Sequence, residues 1–438
     1  MKKYLTWILI ICYTLAGCSI PELSEIKTLE LAVYISDSQL SRSGLAQAVN
    51  TFNDNNSNVK IEITNYRETH SDPWDALNHI KIDIIAGKGP DMIDFGSDWG
   101  YSPLISSAML TDLYPLMQND VSFNKQDFHF NIIESFAVGE SLYVLVPSFV
   151  ITSFATNNSY FSGLERMSAK QLVEAYDNRN ENSILFPGET KQSVLGMICF
   201  GGLENYVDWG EGICYFDSDS FKEILHFANH NFPLTLNLSD DYSAKAFFTE
   251  GLAILYPVSI ESVYGTARIR ALYGETPNYI GYPLDSGNGN MANIANIAIG
   301  ISATSKNKEE AWGFIKSLLD SDFQDNIKNG LPIRIDSLEQ RLTAAMSAEY
   351  DEFNKKIVKE LLLWEGEAPV NIYEITKEDA ETLKSIITKI EFNASVDYDL
   401  YNIMMEEADY LFNDSTRTEE DVINIIQSRA QIYVSENK

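Results

Sequence analysis

Basic residues are scarce in this sequence. Its 438 residues include 32 Lys and Arg against 63 Asp and Glu. Without Lys2 and Lys3 at the N-terminus the balance is 30 to 63. A phosphate-binding face needs a basic stripe, so nucleic acid is excluded as a partner. Docking of the chain body on anionic lipid is excluded on the same ground. Cysteine is scarce too. Of four, Cys12 and Cys18 belong to an N-terminal apolar run, and only Cys199 and Cys214 lie in the body. That is no disulfide framework. A single bond between the two stays open, because spacing alone does not fix the geometry. Beyond the N-terminus no apolar run approaches the ~18 to 20 residues that span a bilayer. Catalytic fingerprints are missing as well: there is no Gly-x-Ser-x-Gly elbow, no P-loop and no dinucleotide motif. "GNGN" at 287 to 290 reads as a loop, and "DSGNGN" lacks the distal bidentate Glu of a calcium loop. No cofactor is expected. Histidines number five. His226 and His230, in "HFANH", are spaced i, i+4 as at the start of a zinc site. No Glu base stands between them and the sequence offers no third ligand, so no metal is expected.

What the N-terminus does have is an address. Lys2 and Lys3 precede a 12-residue apolar stretch, "YLTWILIICYTL", and then Ala16 and Gly17. This is the layout of a secretory signal and is too short for an ordinary membrane helix. Leu15-Ala16-Gly17-Cys18 resembles the bacterial lipobox. The resemblance implies that residues 1–17 are removed and that Cys18 carries a diacylglycerol. Two or more acyl chains hold a protein stably at a membrane. Residues 18–28 then form a tether on its outer face.

The body opens with a regular alternation. "LELAVYI" (29 to 35) reads as a buried strand. Leu45, Val49 and Phe52 share one face of a helix. "VKIEI" alternates as a half-buried strand. Leu77, Ile80 and Ile84 mark a second helix that ends before Gly87, Gly89 and Pro90, and "MIDF" gives a third strand. This is the start of a parallel α/β layer. The pattern returns at "ANIAIGI". After it, Asn307 and Glu310 suggest a capping box, and Ala311, Trp312, Ile315, Leu318 and Leu319 form one apolar helix face. The last 100 residues read as mostly helical.

Several passages, in order, resemble an extracellular solute-binding protein of a bacterial ABC importer, in the class that includes the maltose-binding protein. They are "IIAGKGPDMIDFG" (84 to 96), "LTDLYPLM" (110 to 117), "YSAKAFFTEGLAILYPVS" (242 to 259), and "IAIGISATSKNKEEAWGFIKSLLDSDFQ" (297 to 324) followed by "GLPIR". The resemblance implies a two-lobe α/β fold of the type II periplasmic-binding class, with three crossovers near 145 to 148, 282 to 293 and 331 to 336. The first lobe would hold 27–146 and 290–333. The second would hold 147–285 and 336–438, with C-terminal helices. It implies a monomer that closes on a solute, docks on a membrane permease, and catalyses nothing.

In open α/β sheets ligands bind beyond the carboxyl ends of the strands. That rule selects Ser36, Asp37 and Ser38 after the first strand, and Ser97, Asp98 and Trp99 after the third. Carboxylates accept hydroxyl hydrogen bonds and an indole offers a flat apolar face, a mixture that suits sugars. Ser36 and Asp37 serve equally well as caps of the helix near residue 42. The family resemblance adds Ser148 and Phe149 after Pro147, then Ser259, Glu261 and Tyr264 in "SIESVY", Tyr282 and Asn293 at the second crossover, and Trp364. Where carbohydrate binders of this class often stack a tryptophan, "SIESVY" has none. Trp209, flanked by Gly210 and Gly212, reads as part of a hairpin away from the site. The expected solute is an oligosaccharide. A peptide or polyol, or a surface hydrolase with paired carboxylates, are the alternatives. A peptide binder needs a cation for the ligand carboxylate, and Arg268 and Arg270 are the arginines near the expected cleft.

Overall fold

Strand alternation and helix periodicity sort this chain into two sheets with helices packed on them. The computed structural model describes residues 26–436 apart from 98–99, 158–159, 210, 236–245, 285–286, 364–368, 395 and 414–415. No helix among the described residues is long and apolar enough to cross a membrane.

The first sheet contains β1 (Lys27–Val33), β2 (Val59–Asn65), β3 (Met92–Asp94), β4 (Val144–Leu145) and β9 (Ile299–Ile301), in the order β2-β1-β3-β9-β4. β1 is parallel to β2 and β3, whereas β9 runs antiparallel to both β3 and β4. The carboxyl ends of β1 to β4 therefore share one edge with the start of β9. The helices between these strands form as their caps and periods dictate. Asp72 accepts from the Trp74 and Asp75 amides ahead of α3 (Pro73–Ile85), with Pro73 in the first turn. That helix buries Leu77, Ile80 and Ile84. α2 (Leu45–Asn55) buries Leu45 and Val49, and Phe52 meets Phe314 edge-on at 5.3 Å. Phe314 lies on α6 (Lys308–Ser317), whose Ala311, Trp312 and Ile315 are also buried.

The expected capping box at the start of α6 does not form. Asn307 makes no side-chain cap; its Nδ2 donates to Asp91 Oδ1 at 3.2 Å, and Glu310 pairs with Lys27. Both side chains find partners on the neighbouring strands, and these outcompete the local bond.

The second sheet centres on β5 (Ser148–Thr156). β6 (Tyr256–Ile260), β7 (Asn278–Tyr279), β8 (Met291–Ile294) and β10 (Leu331–Pro332) all pair with it, and β11 (Phe392–Asn393) pairs with β8. β8 lies inside the 290–333 stretch expected in the first lobe, yet its register runs along β5, from Met291 opposite Thr152 to Ile294 opposite Phe149. The chain leaves this sheet only after Ile294. "GNGN" is the loop that makes this possible. Gly281 (φ +75°) and Gly289 lie against each other, and a Cβ on Gly289 would stand 2.0 Å from the Tyr282 carbonyl oxygen.

A separate apolar core lies under the second sheet. It joins α4 (Lys191–Gly202), α5 (Asp219–Asn231), α9 (Tyr398–Asn413) and α10 (Glu419–Glu436). Cys199 and Cys214 sit in this core as free thiols, and burial pushes them up to about 12 and about 11. The open question of a bond between them is answered by packing. Trp209 stands in a hairpin, with Val207–Asp208 paired to Ile213–Cys214, and packs on Tyr433 of α10.

Candidate functional site

The first two crossovers meet the first sheet at the edge where β1 to β4 end. β4 ends at Leu145 and the chain passes through Pro147 directly into β5. The return path from β8 reaches β9 at the same edge, where Asp94 Oδ1 accepts from the Ala298 amide at 3.1 Å and the Phe95 amide donates to the Ala298 carbonyl at 2.8 Å. Gln324 ties the first crossover to the third. Its Nε2 donates to the Pro147 and Leu318 carbonyls (2.9 and 2.7 Å), and its Oε1 accepts from the Ile333 and Arg334 amides (3.0 and 3.1 Å). The amide has no exposed surface and its bonds are met. Its role was missed in the sequence because nothing in "SDFQ" marks a residue whose partners lie on other segments.

On the first-lobe edge, Ser36 rather than Asp37 caps α1 (Asp37–Ser43), in a capping box with Gln39. Asp37 is exposed in the first turn, and its Oδ1 accepts from Asn65 Nδ2 at 3.2 Å. Asn65 ends β2 and donates also to the Ile35 carbonyl, so it fixes the loop that carries Asp37. Ser97 is exposed just past β3, after Gly96 (φ +63°). Asp98, Trp99 and Trp364 lie outside the described residues, as does Cys18.

On the second-lobe edge the strand period decides which residues face outward. Residues opposite one another across an antiparallel pair share a face, and neighbours along a strand alternate. Val150 stands opposite Asn293, and Thr152 opposite Ser259. All four are half-buried, at the end of the sheet nearest the crossovers. Ser148 shares their face and is buried beside the first crossover, where its carbonyl accepts from the Ala295 amide. Phe149 falls on the other face, fully buried with Ile151, Ile260, Ala292 and Leu331. The expectation for Phe149 is thus corrected: its side chain is fully buried in the core, and Ser148 lies on the opposite face of β5. Val150 and Thr152, which the sequence reading missed, are the next residues on it.

Tyr282 is corrected as well. Its backbone pairs with Gly289, and its ring packs 4.6 Å from Phe154 in the second-lobe core, where burial pushes the phenol up to about 12. Glu261 is exposed just beyond β6, and Tyr264 is half-buried at the start of the following helix. Asn293 is oriented by its own chain, its Oδ1 accepting from the Ile294 amide at 2.8 Å. A cavity of about 470 Å³ lies elsewhere on the second lobe, lined by Tyr160, Gln171, Glu174 and Asn178; none of the crossover-edge residues touches it.

Both arginines near this edge are committed internally. Arg268 Nη2 donates to the Ser259 carbonyl at 2.9 Å, and the guanidinium pairs with Glu360 at 3.3 Å. Arg270 holds Asp379 through two bonds of 2.8 and 2.9 Å. Burial raises the Asp379 carboxyl, but the Arg270 and Thr376 hydrogen bonds outweigh it and hold the group below its usual range.

The two sheets are joined through crossovers, and exposed or half-buried polar side chains stand at the strand ends on both sides. The sequence model of the bacterial extracellular solute-binding proteins matches residues 36–325. The chain belongs to that family. This solute-binding protein shares its fold with solved structures of low sequence identity. One is a family 1 extracellular solute-binding protein from Alicyclobacillus acidocaldarius, with TM-score 0.55 and 11% identity over 94% of this chain and 99% of that one. The sugar-binding protein MalE from Xanthomonas citri gives TM-score 0.53 and 11% identity over 94% and 98% of the two chains. A sugar transporter protein from Rhizobium etli in an open conformation gives 0.54 and 14% over 92% and 99%. No curated protein matches the sequence. The family is one of binding proteins, and the structural neighbours establish its two-lobe α/β fold here.

Proposed function

We propose that this solute-binding protein captures a carbohydrate between its lobes and delivers it to the permease of an ABC importer. The observation that carries the reading is the pairing of chemistry at the crossover edge. Hydroxyl and amide groups (Thr152, Ser259, Asn293, Ser97) and the Asp37 carboxylate face the edge, while Arg268 and Arg270 are taken up by Glu360 and Asp379. Neutral donors and acceptors together with carboxylates suit the hydroxyls of a sugar. A peptide's terminal carboxylate would find both of these guanidinium groups occupied.

In this reading Asp37, Ser97, Asp98, Ser148, Ser259, Glu261 and Asn293 supply polar contacts. Trp99, Tyr264 and Trp364 supply apolar faces for the C–H surface of the sugar. Val150 and Thr152 join them; Phe149 and Tyr282 do not. The first lobe spans about 27–146 and 295–330, the second the remainder, and hinge closure on the solute produces the form that docks on the permease. The receptor acts as a monomer, held at the outer face of the membrane by lipid on Cys18 after loss of residues 1–17. Energy for import comes from a separate ATPase.

A thermal-shift panel of oligosaccharides, polyols and peptides tests this. Binding to the folded state raises the melting midpoint by mass action. A rise with one class of oligosaccharide and no turnover is expected. A rise with peptides alone would transfer the assignment to a peptide receptor, and release of product from a glycoside would overturn the receptor reading.

A further inference from the structure

Two histidines and a glutamate from distant parts of the chain meet on the second lobe, outside the site above. His226 and His230 stand one turn apart on α5, a spacing that puts both rings on one helix face. Their ring centroids are 4.2 Å apart. Glu419, the first residue of α10, turns one oxygen to each. Its Oε2 lies 3.1 Å from His226 Nδ1, and its Oε1 lies 3.1 Å from His230 Nε2. One ligand atom from each residue lies within 4.8 Å of the other two. Asn229 Nδ2 donates to Glu419 Oε1 at 3.0 Å and so orients the carboxylate from α5; Lys191 Nζ donates in turn to Asn229 Oδ1 at 2.8 Å.

We infer that this trio is a binding site for a borderline divalent cation of the zinc type, held by two imidazole nitrogens and one carboxylate oxygen, with solvent completing the shell. The third ligand that the sequence lacks beside "HFANH" is supplied across 193 residues by the fold. Around a tetrahedral zinc with bonds of about 2.0–2.2 Å, neighbouring ligand atoms stand about 3.4 Å apart. Each imidazole nitrogen stands 3.1 Å from a different oxygen of the carboxylate, so a few tenths of an ångström of side-chain adjustment would bring one oxygen and both nitrogens around an ion. Two imidazoles in the set select against calcium and magnesium, which take oxygen ligands. Glu419 pairs with both rings, one oxygen to each, and so holds all three potential ligands on one patch of surface. The site is reachable, since the His226 and His230 side chains are 62% and 57% exposed and Glu419 is 26% exposed. Asn229 is the outer-shell partner that a ligating carboxylate needs. A bound ion would staple α5 to α10 and so lock the C-terminal helices onto the second lobe, leaving the solute edge untouched.

The test is calorimetric titration of zinc chloride into the full-length, chelator-stripped protein, beside the variants H226A, H230A, E419Q and N229A. The expected result is one saturable site, weakened at least tenfold by each ligand variant and less by N229A. Zinc should raise the thermal midpoint of the parent protein and not that of H226A or H230A. Cobalt(II) provides a second readout, a visible ligand-field band that appears in the parent and is lost in H230A. If a variant fails to fold, the band in the remaining ones decides. No saturable site, or a site whose affinity and cobalt band survive both histidine substitutions, overturns the inference. So does equal or tighter binding of calcium. Solute affinity is expected to be the same with and without zinc, so this result and the solute assignment stand or fall separately.

Discussion

Asp94 Oδ1 accepts a hydrogen bond from the Ala298 amide, 204 residues away, and so pins the second crossover to the end of β3. The same oxygen accepts from the Gly96 amide, while Oδ2 is buried with no partner. Burial raises the Asp94 carboxyl from 3.8 to about 7, against the two backbone bonds that lower it. The folded state therefore holds a proton that the unfolded chain releases. The stability this provides is complete below about pH 4 and is lost as pH rises through about 7. Asn at this position keeps the oxygen that accepts both amides and carries no charge. Asp94→Asn is expected to change the melting midpoint little below about pH 4, and to raise it by an amount that grows from there to several degrees near pH 8. A difference that does not vary with pH would show that the carboxylate is not buried as described.

Gln324 makes a second prediction. Its four bonds satisfy the Pro147 carbonyl at the first crossover, the Leu318 carbonyl at the end of α6, and two amides at the third crossover. Each buried group left unpaired costs about 1–3 kcal/mol. Gln324→Ala is expected to lower unfolding free energy by about 2–4 kcal/mol in urea titration, allowing for partial repair by water. Gln324→Glu keeps the acceptor toward Ile333 and Arg334 but loses the donor to Pro147, and should also destabilise. A cost below about 1 kcal/mol for the alanine variant would mean that the crossovers are held by other contacts.

The two faces of β5 make a third. Phe149 is in the core, and Phe149→Ala should cost about 3–5 kcal/mol of stability with the solute dissociation constant of the folded fraction unchanged. Thr152→Ala and Asn293→Ala should do the reverse. Each should shift stability by less than about 1 kcal/mol and weaken solute binding about tenfold or more, since tenfold is about 1.4 kcal/mol. Trp99→Ala and Trp364→Ala should weaken sugar binding likewise. If all four leave binding unchanged, the solute does not sit at the crossover edge.

These cases show what was legible in the sequence and what was not. Local periodicity carried the elements: Leu77, Ile80 and Ile84 are buried on α3 as their spacing requires, and Ala311, Trp312 and Ile315 on α6. The rule for strand ends led to the loops holding Asp37 and Ser97, because chain direction alone decides which edge they occupy. Register did not read out. That Phe149 lies in the core and Val150 on the opposite face beside Asn293 depends on the register of β5 with β8, and that pairing is set by partners more than 100 residues away. The same holds for polar side chains with long-range partners. Asn307 looked like a cap and is a strand ligand for Asp91. Arg270 looked like a cation for a solute and is held by Asp379. His226 and His230 looked like a pair without a third ligand until Glu419 was brought to them.

The Arg270–Asp379 pair is itself testable and bears on the choice of solute. Asp379 is 1% exposed and Arg270 34% exposed, so the carboxylate depends on the guanidinium while the guanidinium keeps contact with water. Removing one partner of a buried pair costs about 3–5 kcal/mol, and the exposure of Arg270 reduces that to about 1–3 kcal/mol here. Arg270→Ala is expected to destabilise by this amount, and Arg270→Lys by less, since lysine restores charge but not the two parallel bonds. Neither should weaken carbohydrate binding. A loss of solute affinity in Arg270→Lys at unchanged stability would mean that the guanidinium reaches the solute, and would favour an acidic ligand over a neutral sugar.

Cys18 makes the last prediction, and it separates address from capture. The proposed anchor would rest on acyl chains, whose membrane affinity grows by about 0.8 kcal/mol per buried CH₂, so that one chain holds marginally and two hold stably. Serine in place of Cys18 removes the sulfur that would carry them. With its acidic surface, 30 basic against 63 acidic side chains beyond Lys2 and Lys3, the body has no electrostatic attraction to anionic lipid to fall back on. Cys18→Ser is therefore expected to move the protein from the membrane fraction to the soluble fraction, or to leave it unprocessed with its N-terminal segment attached. Thermal shift by the identified solute should be unchanged in the released protein, because Cys18 is not among the residues proposed to contact the solute. Retention of a processed Cys18→Ser protein in the membrane fraction would mean that something other than lipid on this cysteine holds the receptor there.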